Sequence, residues 1–174
     1  MSRFREFARA ELTPEQQAVF DAVGAKRGSV PAPFHILLES PALASQAQAL
    51  GVFCRYNTGF APRLSELMVL LTAAHWQSDY EMSVHIPEAR KAGIPDHVIE
   101  AIQAGKAPEF GDRESQLVYD FATAFYATRD VPDALFDAAV AEFGRKRVVE
   151  MAGVLGYYSL LAIVMRIFRV PAKT

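Results

Sequence analysis

The chain has 174 residues, 51% hydrophobic and 22% charged, with 18 basic against 20 acidic side chains and a formal charge of -2. That length fits one domain with a sizeable core, and the balanced charge argues against nucleic acid or an anionic membrane surface as a partner. The single cysteine, Cys54, excludes an internal disulfide, a CxxC redox pair and a thiolate-rich metal site.

Met-Ser-Arg-Phe-Arg-Glu at the N-terminus lacks the apolar core of a signal peptide, so a cytoplasmic location is expected. Helix punctuation then recurs along the chain. Thr13-Pro14-Glu15-Gln16 offers an N-cap, a proline at the first helical position and a capping-box glutamine. Leu12, Val19, Phe20 and Val23 recur at helical spacing, and Gly24 or Gly28 ends the segment. Val30-Pro31-Ala32-Pro33 reads as an extended connector, because each proline restricts the residue before it. Ser40-Pro41 opens a second helix, with Leu43, Ala47, Leu50 and Cys54 along one face, and Gly59 and Pro62 break it. On that face Cys54 reads as inert core.

Ser65 reads as the cap of a third helix reaching Trp76, apolar from Leu67 to Ala74 and therefore central. A fourth helix covers residues 79–92 and stops at Gly93; Pro95 opens a short fifth, ended by Gly105 and Pro108. Asp112 caps a sixth carrying Leu117, Phe121, Ala124 and Phe125. Pro132 starts a seventh that ends at Gly144, and an eighth runs over residues 146–168, closed by Pro171. The apolar run from Met151 to Met165 is shorter than the roughly 20 residues of a membrane span, which predicts a core helix. Arg145-Lys146-Arg147 reads as a solvated helix boundary. No stretch alternates as strands do. The expected fold class is all-α: one helical bundle of about eight helices, with residues 30–171 as the core and residues 1–29 as a helical extension.

Ser78, Glu81 and His85 stand at i, i+3 and i+7, within roughly 60° of one another on one helix face. Glu81 and His85 can touch, and an antiparallel helix pair brings Glu66 near His85. Spacing alone leaves other readings open. The pair also fits a surface contact, Glu66 a first-turn acid favoured by the helix dipole, and Ser78 a cap. His75 and Trp76 pack at a helix end or line a pocket, and Tyr80 packs. A metal site from Glu66, Glu81, His85 and His75 lacks both a second firm imidazole and H-x-x-x-H spacing. Arg166 interrupts an apolar helix and reads as an ion pair at a subunit interface. Glu66-Leu67 and Glu150-Met151 each head an apolar helix; if they are an old duplication, Ala162, Met165 and Arg169 correspond to Ser78, Glu81 and His85.

Glu66, Ser78, Glu81 and His85, in that spacing, resemble the motif of the alkyl hydroperoxidase D superfamily, with Ser78 and Glu81 where that family carries its redox cysteines. Glu81-Met82-Ser83-Val84-His85 is similar to the carboxymuconolactone decarboxylase family, the cysteine-less branch. Ala74-His75-Trp76, Tyr80-Glu81, Ala89-Arg90-Lys91-Ala92-Gly93 and Gly156-Tyr157-Tyr158 resemble the wider superfamily. The resemblance implies an enzyme without a cofactor, acting on a small unsaturated lactone or keto acid in aromatic catabolism. It implies Glu81 and His85 as the proton-transfer pair, Glu66 orienting or recharging His85, and Ser78, with His75 and Trp76, beside the substrate. It also implies a homo-oligomer, trimer or hexamer, which the apolar content of the third and eighth helices favours too. The competing expectations are a peroxidase of the alkyl hydroperoxidase D type, disfavoured by the missing cysteine pair, and a non-catalytic oligomeric binding protein.

Overall fold

The computed structural model describes residues 2–173. It is all-helical: α1 Pro14–Arg27, α2 Ala32–Leu37, α3 Pro41–Tyr56, α4 Pro62–His75, α5 Asp79–Lys91, α6 Asp96–Gln103, α7 Arg113–Thr128 and α8 Asp133–Phe168. A single 3-10 turn, Arg9–Glu11, precedes them, and no strand occurs among the described residues.

Local chemistry places most boundaries. Thr13 and Gln16 cap α1 reciprocally: Thr13 Oγ1 accepts from Gln16 N at 3.4 Å and Gln16 Oε1 accepts from Thr13 N at 2.9 Å. Gly28, not Gly24, closes that helix. Asp112 accepts from the amide of Ser115 at the head of α7. Two expectations need correction. The 30–33 connector is extended only to Pro31; α2 starts at Ala32 because Pro33 sits in its first turn, where a missing N–H costs nothing. For the same reason Pro62 starts α4, so Ser65 lies inside the helix and is not its cap. The seventh and eighth segments meet at Gly144 as expected: its φ of 79° and ψ of 154° are non-helical and break α8 into two helical stretches.

The core is built on α4 and the second half of α8. α4 packs against α5, α6, α7 and α8, while α8 also receives α2, α3 and α7. Leu67, Met68, Leu70, Met151 and Val154 are fully or almost fully buried at this centre. Each such side chain contributes about 1.5–3 kcal/mol of apolar transfer. By length and composition α8 does qualify as a membrane-crossing helix, unlike the 151–165 run alone; 56% of its most apolar window is buried, as a core helix requires. The proposed duplication does not hold. The turn at Trp76, Gln77 and Ser78 between α4 and α5 corresponds to Leu160, Leu161 and Ala162, which lie within the unbroken second stretch of α8.

Candidate active site

α4 and α5 fold back on each other through Trp76, Gln77 and Ser78, with Gln77 in the left-handed region at φ 50°. The return sets Glu66, early in α4, opposite His85 on α5. The His85 ring lies between two carboxylates: Nδ1 is 2.7 Å from Glu66 Oε2, and Nε2 is 3.5 Å from Glu81 Oε2. Side-chain exposure is 3% for His85, 4% for Glu81 and 14% for Glu66. With Glu66 ionised, Nδ1–H donates to it, and Nε2 is the nitrogen that faces Glu81. The longer Nε2 contact is of the kind that tightens when substrate is bound.

Burial raises the pKa of the Glu81 carboxyl. His85, Arg55 and Arg27 work against that shift, and Glu66 adds to it. The ring of Tyr158 stands perpendicular to His85, centroids 5.2 Å apart, and Tyr157 packs on Tyr158 in the same edge-to-face manner. Burial pushes the Tyr157 phenol up to about 12 and the Tyr158 phenol higher still, so both remain neutral hydrogen-bonding groups. Cys54 is buried with its thiol pushed up to about 11, which leaves it un-ionised and poorly nucleophilic near neutrality.

The predicted residues divide into two sets. Glu66, Glu81 and His85 meet. Ser78 occupies the N-cap position of α5 but makes no capping bond, and its buried Oγ has no protein partner. Glu81, at the third helical position, turns to His85 instead of completing the S-x-x-E capping box. His75 and Trp76 point elsewhere: His75 stacks on Tyr126 at 4.2 Å, and Trp76 Nε1 donates to Ser159 Oγ at 2.9 Å. Arg166 donates from Nη1 to the carbonyl of Gln77 at 3.2 Å within the same chain. Because Glu66 and Glu81 flank opposite edges of the imidazole, they share no point at which one metal ion reaches all three. No cluster of three His, Cys, Asp or Glu side chains among the described residues is arranged to hold a metal.

The cations near Glu81 are Arg27 and Arg55, which sequence reading missed. Each lies in the last turn of its helix, α1 and α3, where a basic residue is explained by the helix dipole alone. Both line a cavity of about 410 Å³. Its other walls include Tyr80 and Val84 on α5, Tyr56, the 29–32 connector, Phe4 and Glu6, and the 170–173 segment. The two chain ends are tied in place: Arg3 N donates to the Phe168 carbonyl at 3.0 Å, Phe7 N to His35 Nδ1 at 3.1 Å, and Lys173 N to Ser83 Oγ at 2.8 Å.

Solved structures share this architecture. An alkylhydroperoxidase-core, peroxidase-related protein of uncharacterized function from Ralstonia eutropha matches with a TM-score of 0.79 at 18% identity, over 99% of this chain and 92% of that one. A debrominase in complex with 2,3,4-tribromopyrrole matches with a TM-score of 0.76 at 14% identity, over 97% and 90%. A candidate antioxidant defence protein from Agrobacterium tumefaciens matches with a TM-score of 0.68 at 19% identity, over 79% and 95%. No family model matches the chain, and no curated protein matches it in sequence. At these identities the likeness defines the fold, which is that of the alkyl hydroperoxidase D core.

Proposed function

We propose that this protein is a cofactor-free acid–base enzyme resembling carboxymuconolactone decarboxylase, acting on a small unsaturated lactone or keto acid. The observation that carries the reading is the buried Glu81 carboxyl, its pKa raised, 3.5 Å from His85 Nε2. A buried carboxyl whose pKa is raised is a proton donor better matched to carbon protonation than a solvated one. Breaking the carbon–carbon bond to a departing carboxylate releases carbon dioxide, and the bonding electron pair moves into the conjugated carbonyl. Glu81 then delivers its proton to carbon. The resulting Glu81 carboxylate is reprotonated from solvent through His85: the imidazole takes up a proton at Nε2, as an imidazolium that Glu66 stabilises through Nδ1, and passes it to Glu81. Ser78 Oγ, lacking a partner within the fold, is available to bond the substrate. Thiol-based peroxide reduction is not supported, since Ser78 and Glu81 occupy the two cysteine positions of the resembling motif and Cys54 is buried.

The test is ultraviolet-monitored turnover of γ-carboxymuconolactone by the wild-type protein and by Glu81→Gln, His85→Ala and Glu66→Gln. The expected result is a loss of about 10²–10⁴-fold in the first two and a smaller loss in Glu66→Gln. Turnover untouched in Glu81→Gln and His85→Ala refutes the assignment. Loss of nothing but thiol-dependent peroxide consumption would move the protein to the peroxidase class. We also propose self-association as a trimer or hexamer, supported by the exposed Leu43, Leu50 and Phe53 on α3 and Val149 and Ile167 on α8. Light scattering that returns a monomer at working concentration rejects it.

A further inference from the structure

Three arginines are half-buried among the described residues: Arg27, Arg55 and Arg63. Arg63 is matched in full, by Asp112 at 2.9 Å and by Glu114. Arg27 and Arg55 have no carboxylate within ion-pair distance among the described residues, although a partly desolvated cation without a counter-ion is costly. Their protein partners are neutral. Arg27 donates from Nε to Gln48 Oε1 at 3.2 Å and from Nη2 to Tyr157 Oη at 3.3 Å, and its guanidinium lies 5.0 Å over the Phe34 ring. Those contacts fix the orientation of the fork and leave its charge uncompensated. Arg55 lies beside Tyr158; burial works against its charge, but Tyr158, Tyr56 and Glu66 more than offset that and keep it a cation.

Both guanidinium groups line the 410 Å³ cavity. Lys173 is the third cation on its wall and Glu6, exposed, the one acid. Tyr56 and Tyr80 supply aromatic surface between them. A guanidinium fork matches a planar carboxylate in two parallel bonds, and aromatic walls suit a flat group attached to it. We propose that Arg27 and Arg55 form the seat for the carboxylate of a small, flat, unsaturated or aromatic acid in this cavity. The proposal rests on the acid–base reading of Glu81, because the charges of both arginines act on that group, although its carboxyl is not itself on the cavity wall.

The seat also links binding to proton chemistry. Glu81 is faced by His85, Arg55, Arg27 and Glu66, and both arginines act on it as nearby positive charges. An anion on the two arginines cancels that charge and makes Glu81 hold its proton more firmly. Seating the substrate therefore favours the protonated acid that the reaction consumes, and binding takes up protons.

The experiment is an NMR titration of the full chain with benzoate, following backbone amides and arginine Nε–H signals, with benzamide and inorganic phosphate as parallel probes. The expected result is saturable benzoate binding that shifts the Arg27 and Arg55 signals, with benzamide at least about tenfold weaker. Arg27→Gln and Arg55→Gln each weaken benzoate about tenfold, while Arg113→Gln, whose side chain pairs with Glu142 and is not on the cavity wall, does not. Calorimetry in two buffers of different ionisation enthalpy shows proton uptake, which Glu81→Gln removes without removing benzoate binding. Equal binding of benzamide, tighter binding of phosphate, or no saturable shift at millimolar benzoate overturns the seat. If either arginine variant fails to fold, the benzoate–benzamide contrast in the wild-type protein still decides. Loss of the seat with γ-carboxymuconolactone turnover still dependent on Glu81 refutes this inference alone. A working seat with turnover indifferent to Glu81 refutes the acid–base reading.

Discussion

Gly51→Ala is a substitution whose local and tertiary effects have opposite signs. Gly51 lies inside α3, where alanine is favoured over glycine by about 1 kcal/mol. A methyl group at that position collides with the Tyr157 hydroxyl, and it sits 2.6 Å from Tyr157 Cζ and 2.8 Å from Arg27 Nη2. Overpacking of this kind costs about 1–3 kcal/mol. Displacing Tyr157 also breaks its bond from Arg27, a charged hydrogen bond of about 1.5–3 kcal/mol. The net expectation is a loss of about 2–4 kcal/mol after the propensity gain is subtracted. Urea unfolding followed by circular dichroism measures it. The Tyr157→Phe background removes the hydroxyl while leaving Cζ in place, so it relieves the clash in part, and a coupling of about 1 kcal/mol is expected in the double-mutant cycle. A Gly51→Ala protein as stable as wild type, with unchanged m-value, refutes the claim that Tyr157 closes down on this glycine.

Two other predictions follow from the fold. His35 is buried between Phe4 and Phe20 and accepts the Phe7 amide at Nδ1, so the folded state holds it neutral and its pKa falls, chiefly through burial, against the opposing pull of Glu6 and a bond to Val30. With the folded value below the ordinary histidine value of 6.5, stability is lost as pH falls below 6.5 toward the folded value; thermal melts from neutral to acidic pH are expected to show a smaller decline in His35→Gln, and an identical decline rejects this origin. Gly144→Ala is expected to cost about 1–3 kcal/mol, because φ 79° and ψ 154° suit glycine alone while the space around it is open; denaturation unchanged by the substitution rejects that.

The fold class was legible because capping and breaking residues act over a few positions: Thr13, Pro41, Pro95, Asp112 and Gly93 each carry their meaning locally. Errors arose where a signal had two local meanings. Proline ends one segment and begins another with the same chemistry, which explains Pro33 and Pro62. Gly144 was legible as a helix stop, because its φ of 79° and ψ of 154° are ones that glycine alone adopts readily. The Glu66, Glu81 and His85 cluster was legible from spacing and resemblance together. Arg27 and Arg55 were not, since their role depends on a missing counter-ion, and that is a property of the packed chain. His75 and Trp76 are sequence neighbours of the site, but their side chains meet Tyr126 and Ser159 instead.

The cavity walls contain residues from both ends of the described chain, and this ordering has a kinetic consequence. The Arg3–Phe168 and Lys173–Ser83 bonds join segments far apart in sequence, whereas the α4–α5 hairpin is local. Contacts of large sequence separation tend to form late and, when few and exposed, open at low free-energy cost without disturbing the interior. The acid–imidazole cluster therefore belongs to a part of the molecule that is set early and stays shut. The chamber beside it belongs to a part that is assembled last and breathes. Opening of the chamber is therefore expected to cost less free energy than opening of the bundle, since two isolated bonds hold its terminal walls while packed side chains close the interior.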